Sequence, residues 1–161
     1  MSEPTVASLM TRMVQGPPIK NSLNEAHRWM SANRIRHLPV VDEQGRLVGL
    51  VTQRMVLAAW AKHGPQKQAP CGAGARELPV EMIMEKDVTT IGPDAPAAEA
   101  ARIMETRRFG CLPVVDKGRL VGIITEADFV RFARGVLDHA EAAVEIGRAA
   151  RLGEDRIEIR G

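Results

Sequence analysis

A hydroxyl and a carboxylate three positions apart, Thr125 and Asp128, stand where the apolar run Leu120 to Ile124 gives way to a helical pattern. A threonine at such a junction points its hydroxyl toward the same space as the first free backbone N–H groups of the helix, and together these make an anion site. Asp128, one turn along, can accept both hydroxyls of a ribose while a phosphate sits nearer Thr125. The Val88-Thr89-Thr90 segment and the start of the Cys111-Leu112-Pro113 strand offer apolar surface and backbone polar groups to a flat base. The same Thr-x-x-Asp spacing is close to a capping box, and capping alone also accounts for both residues at about 1 kcal/mol.

Other chemistries find little to work with. Cys71 and Cys111 are far apart and form no CxxC, so neither a disulfide framework nor a zinc site is indicated. There is no HExxH, no Walker loop, no nucleophile elbow and no Cys–His pairing at a recognised spacing, so no catalytic and no metal residues are assigned. Gly72-Ala-Gly74 lacks both the third glycine and the preceding strand of a dinucleotide fingerprint. His27, His63 and His139 are scattered, Cys111 reads as a small core residue, and the methionines at helical spacing read as core filler.

Charge and composition narrow the partners. A net charge of +2 on 161 residues is too small for a nucleic-acid binder working by bulk charge. Aromatics are 3% with no Tyr, which leaves successive bases nothing to stack on. The basic side is 17 Arg to 5 Lys, a balance suited to bidentate contact with carboxylates or phosphates. No apolar run approaches the ~20 residues of a membrane span, and the start, Met1 to Pro4, has no signal-peptide pattern. A cytoplasmic protein without membrane contact is expected.

The elements that must position these residues occur twice. Val6-x3-Met10 recurs as Val80-x3-Met84, and Glu25-Ala26-x-Arg28-x-Met30 as Glu99-Ala100-x-Arg102-x-Met104. Leu38-Pro39-Val40-Val41-Asp42 recurs as Leu112-Pro113-Val114-Val115-Asp116, all at an offset of 74. After a one-residue loss, Gly45-Arg46-Leu47-Val48-Gly49 recurs as Gly118-Arg119-Leu120-Val121-Gly122 at 73. Each copy reads as an apolar lead, a brief strand around Val14 or Val88, a helix, a Leu-Pro-Val-Val strand, a second strand and a final helix from Thr52 or Thr125. In the first helix of copy one, Ser22-x-x-Glu25 is a capping-box signature and Ala26, Trp29 and Met30 share one apolar face. The first two strands of a copy need a parallel crossover, and the last two form an antiparallel hairpin.

A copy of ~55 residues leaves one sheet face uncovered, which packing the two sheets together cures. The expected architecture is α/β (α+β): two pseudo-twofold β-α-β-β-α repeats packed sheet to sheet, plus a C-terminal helix. Repeat 1 spans 1–62, a Gly-, Pro-, Gln- and Ala-rich linker 63–78, repeat 2 79–135, and a C-terminal helix and tail 136–161. In the latter, Val136 to Arg151 reads as a separate helix ended by Gly153, with Leu137, Ala140, Val144 and Gly147 on one stripe and Glu141 and Arg148 off it. Arg156 to Arg160 alternates like a short strand or a frayed tail. Val56, Leu57 and Trp60, and Phe129 and Phe132, read as outward apolar faces that would be an unusual patch on a monomer.

Together these features resemble the CBS-domain family in its tandem form, the Bateman module. The resemblance runs from Val6 to about Arg134 and rests on the two Leu-Pro-Val-Val-Asp strands, on Leu-Val-Gly-(Leu/Ile)-(Val/Ile)-Thr, and on Gly122-Ile-Ile-Thr125-Glu-Ala-Asp128. It implies a non-catalytic, stand-alone sensing module that binds AMP, ADP, ATP or S-adenosylmethionine and has no cofactor. It also implies a flat symmetric homodimer acting on an unidentified downstream protein. The family pattern gives Thr125, Asp128, Val88, Thr89, Thr90, Cys111, Leu112 and Pro113 the roles described above, and makes Arg36 and His37 the phosphate-binding cations from the other copy. Repeat 1 departs from the pattern. Met55 stands where repeat 2 has Asp128, and a thioether cannot usefully accept ribose hydroxyls, so Thr52, Arg54, Leu38 and Pro39 make a weaker site. The competing expectation is a structural, dimerising module with no nucleotide.

Overall fold

The computed structural model describes residues 3–12, 22–63 and 78–154. The strand expected around Val14, most of the linker with Cys71 and Gly72–Gly74, and the segment Arg156 to Arg160 lie outside them. The chain divides into two compact units, Met1–Thr125 and Glu126–Gly161.

In the first unit the elements run α1 (Val6–Leu9), β1 (Thr11–Arg12), α2 (Leu23–Asn33), β2 (His37–Val41), β3 (Leu47–Thr52) and α3 (Gln53–His63). A 3-10 turn (Val80–Met82), α4 (Ala97–Arg107), β4 (Cys111–Asp116) and β5 (Arg119–Thr125) follow. The repeated residues give repeated geometry. Helices α2 and α4 both end on an arginine in the left-handed region, Arg34 (φ 54°) and Arg108 (φ 55°), whose N–H groups return to the Met30/Ser31 and Met104/Glu105 carbonyls. Both hairpins are antiparallel, with a register shift at Val40/Val41 and at Val114/Val115.

The hairpin turns differ by the one residue lost between the copies. Repeat 2 turns through Lys117 and Gly118, both at positive φ, the two-residue turn that matches strand twist. Repeat 1 uses Asp42 to Gly45, and the Asp42 carboxylate accepts from the Gln44 and Arg46 backbone N–H groups and from Arg46 Nε. The Arg46 backbone bond, aided by its guanidinium, holds the Asp42 carboxyl below the usual carboxylate range despite some desolvation. The Leu120 N–H donates to the Gly45 carbonyl at 3.1 Å, so the two turns meet.

The apolar leads are exchanged between repeats. β1, from the start of the chain, pairs with β5 of repeat 2 (Thr11 with Ile123), while Glu85, from the lead of repeat 2, bridges Leu50 of repeat 1. Thr5 bridges Pro96, and Ser22 bridges Pro79. The repeat 1 core of Leu23, Ala26, Met30, Leu38, Val40, Val51, Val56 and Ala59 is completed by Leu78, Val80 and Met84. Close approach is what permits the exchange: a β-carbon on Gly49 would lie 2.5 Å from Met84 Sδ, and one on Gly122 2.8 Å from Met10 Sδ and from the Thr11 carbonyl. Between the two hairpins, Leu50, Cys111 and Ile123 are buried together with Val88 against them, which is the sheet-to-sheet contact expected of a pseudo-twofold pair.

Several expectations need correction. Val88 to Thr90 make no strand ladder; the parallel crossover contact is one bridge, Ile91 with Val114, because Gly92-Pro93 follows and proline has no N–H to continue it. Trp29 is 42% exposed, so only Ala26 and Met30 of that trio face the core. Val56 is fully buried in the repeat 1 core and Trp60 packs against it, leaving Leu57 as the outward residue of α3.

The second unit contains α5, Glu126–Glu154. The helix expected to begin at Val136 is therefore no separate element: with no proline after Pro113, one helix continues from repeat 2, through Gly135, and past Gly153.

Candidate functional site

The strand–helix junctions carry the residues singled out by type and spacing. In repeat 1, Thr52 is the last residue of β3, and its Oγ1 accepts from the Met55 N–H at 3.2 Å, so this threonine caps α3. The neighbouring Arg54 is exposed, while Leu38 and Pro39 are buried in β2. The residues of the weaker site are thus a used hydroxyl, an exposed cation and core.

In repeat 2, Thr125 closes β5 opposite Cys111, as Thr52 closes β3 opposite His37. Cys111, Leu112 and Pro113 are buried, so what β4 can present to a ligand is chiefly backbone. Val88 and Thr89 are half-buried and Thr90 is exposed. Thr89 Oγ1 lies 3.4 Å from Arg107 Nη1, a long hydrogen bond that brings a guanidinium to this segment.

Asp128 belongs to the first turn of α5. It is 2% exposed, the buried charged side chain among the described residues, and its Oδ1 accepts from Arg131 Nη1 at 2.9 Å. A carboxylate taken out of water must be partnered, and Arg131 supplies that partner while keeping its own side chain 63% exposed. Such an anion is held at a fixed position.

The family resemblance also makes Arg36 and His37 the candidate phosphate-binding cations from repeat 1. His37 opens β2 half-buried, and its Nε2 lies 3.1 Å from where a β-carbon on Gly110 would stand, immediately before Cys111. A bare glycine is what lets the imidazole of one repeat lie against the strand start of the other. Arg36, one residue earlier, is exposed.

A cavity of about 180 Å³ lies in the same unit, lined by Leu47, Val48 and Gly49 of repeat 1 and by Lys86, Val88, Thr90, Val115 and Gly118. Val88 and Thr90 are the expected site residues it gathers; Thr89, Cys111, Leu112, Pro113, Thr125, Arg36 and His37 do not line it. Lys86 was not singled out in the sequence, since an isolated lysine in a polar stretch carries no spacing signal. Among the described residues no cluster of His, Cys, Asp and Glu is placed to hold a metal, and no helix is long and apolar enough to cross a membrane.

Known proteins match this arrangement. A family model described as CBS domain matches residues 6–62 and 80–135. A CBS domain-containing protein of Dictyostelium discoideum is 34% identical over 83% of this chain and 93% of its own length. The chain is also 37% identical to homoserine O-acetyltransferase of Methanococcoides burtonii, but spans 24% of that enzyme. Among crystal structures, a candidate acetoin utilization protein (AcuB) from Vibrio cholerae superposes with a TM-score of 0.75 at 38% identity, covering 88% of this chain and 98% of that one. CBSX2 in complex with AMP gives 0.70 at 27% identity, covering 82% and 97%. The CBS domain pair of protein MJ0100, in complex with 5-methylthioadenosine and S-adenosyl-L-methionine, gives 0.69 at 29%, covering 83% and 98%.

Proposed function

The chain belongs to the CBS-domain family, and from that premise we propose that it is a regulatory sensor binding one adenosine nucleotide per chain through its second repeat. The observation that carries the reading is Asp128: the residue whose type and spacing suit ribose hydroxyls is also, among the described residues, the buried charged side chain. In this reading Asp128 receives the ribose and Thr125 the phosphate, with Arg36 and His37 completing the anion's charge balance. The Val88–Thr90 and Cys111–Pro113 segments take the base. AMP, ADP and ATP are the leading ligands and S-adenosylmethionine the alternative, a choice supported by the adenosyl compounds bound in CBSX2 and in MJ0100.

The role is non-catalytic and cytoplasmic. The protein works as a homodimer and passes its state to a downstream protein, which requires that its two states differ in affinity for the nucleotide. A second reading, a structural dimerising module, draws support from Thr52, whose hydroxyl is already used as a helix cap.

A thermal-shift screen with AMP, ADP, ATP and S-adenosylmethionine separates the two. A ligand at a hundred times its Kd adds about 2.7 kcal/mol, a rise of roughly 5–10 °C in Tm for a chain of this size. No saturable rise with any of the four rejects the sensor.

A further inference from the structure

Helix α5 leaves a regular apolar stripe in solvent. Val130 is 69%, Leu137 63% and Val144 64% exposed, each seven residues from the next. Ala133 and Ala140, three residues after the first two, are also exposed, and position 147, three after Val144, is glycine. Large residues at one position of a seven-residue repeat and small ones three later define the seam of a two-helix coiled coil. We infer that α5 pairs antiparallel with α5 of a second copy of this chain, along the stripe from Val130 to position 147; this rests on the homodimer proposed above.

Size and charge both favour that occupant and that direction. A parallel pair sets Leu137 against the partner's Leu137 and Ala133 against the partner's Ala133, alternating crowded and empty layers. An antiparallel pair sets every large residue against a small one: Leu137 against the partner's Ala140, Val144 against the partner's Ala133, and Val130 against glycine at 147. Beside the stripe, Arg134 and Glu141 occupy one flank, and Val136 and Ala143 the other. Antiparallel pairing brings Arg134 beside the partner's Glu141 and Glu141 beside the partner's Arg134, while Val136 meets the partner's Ala143. Parallel pairing would instead place Glu141 beside the partner's Val136 and Arg134 beside the partner's Phe129. Within its own helix Arg134 Nε is 4.0 Å from Asp138, too long to fix its guanidinium elsewhere.

The test is sedimentation and oxidative cross-linking of the full chain. The parent sediments as a dimer, and Leu137→Asp, at an exposed position where folding is unaffected, weakens dimerisation at least roughly 100-fold. Glu141→Arg weakens it about 3- to 10-fold, and the double swap Arg134→Glu/Glu141→Arg restores it. In a Cys71→Ser background, Ala133→Cys/Val144→Cys gives a reducible covalent dimer. Val130→Cys does not, because the two copies of that position are about 25 Å apart in the antiparallel pair. A dimer that survives Leu137→Asp but dissociates with Leu57→Asp keeps the homodimer and overturns the α5 pairing. Self-cross-linking of Val130→Cys overturns the antiparallel direction, and a monomeric parent overturns both the pairing and the homodimer.

Discussion

Thr52 and Thr125 close equivalent strands, yet the residue three positions on is Met55 in repeat 1 and Asp128 in repeat 2. The backbone that repetition imposes is the same: equivalent hairpins, equivalent left-handed arginines at the helix ends, and leads exchanged in both directions. The residues that follow the two threonines are not. Repeat 1 uses its threonine to cap an 11-residue helix. Repeat 2 buries a carboxylate and continues into a 29-residue helix. Duplication supplies two equivalent scaffolds, and a single difference, Met55 against Asp128, gives their helix starts different side chains.

Paired substitutions at matching positions measure how far the two repeats are equivalent. The largest effects are expected in the cores. Leu38→Ala and Leu112→Ala truncate fully buried equivalents and should each cost about 2–5 kcal/mol in denaturant unfolding. Costs differing by most of that range would show that the two halves are not equally packed.

Smaller effects come from the exchanged leads. Gly49→Ala and Gly122→Ala should each destabilise by about 1–3 kcal/mol, with Gly122→Ala the worse. Its new methyl meets the Thr11 carbonyl at 2.8 Å, against 3.0 Å to the Glu85 carbonyl for Gly49. Thermal unfolding that ranks them the other way would contradict the account of the exchange.

The smallest contrast is at the helix starts. Glu25 accepts from the Ser22 N–H at 2.9 Å, whereas Pro96 at the matching position has no N–H to give Glu99. Glu25→Ala should therefore cost about 0.5 kcal/mol more than Glu99→Ala; equal costs would remove the capping box from the list of differences.

Much of this was legible in the residues. The 74-residue offset fixes the pair of repeats, the Leu-Pro-Val-Val runs fix the central strands, and Ser22 with Glu25 fixes one helix start. The exchange of leads was not legible, because Val6-x3-Met10 states that a segment is apolar without stating which sheet it covers. Gly135 invites a boundary in a sequence reading, but one glycine costs a helix only about 1 kcal/mol and α5 runs through it. Trp29 shared the periodicity of Ala26 and Met30 yet faces outward, since period alone does not set the width of a buried stripe. At the candidate site, Thr125 and Asp128 stand out by type and spacing. The contact of His37 with Gly110 depends on two strand starts 74 residues apart meeting, which no local pattern encodes.

The proposed function requires that repeat 2 bind the nucleotide and that repeat 1 not do so. Isothermal titration of the parent and of Asp128→Ala with the nucleotide giving the largest thermal shift tests it most directly. One site per chain in the parent and at least a tenfold loss of affinity in Asp128→Ala are expected. Two equivalent sites per chain, or a variant that binds as tightly as the parent, would contradict the proposed function.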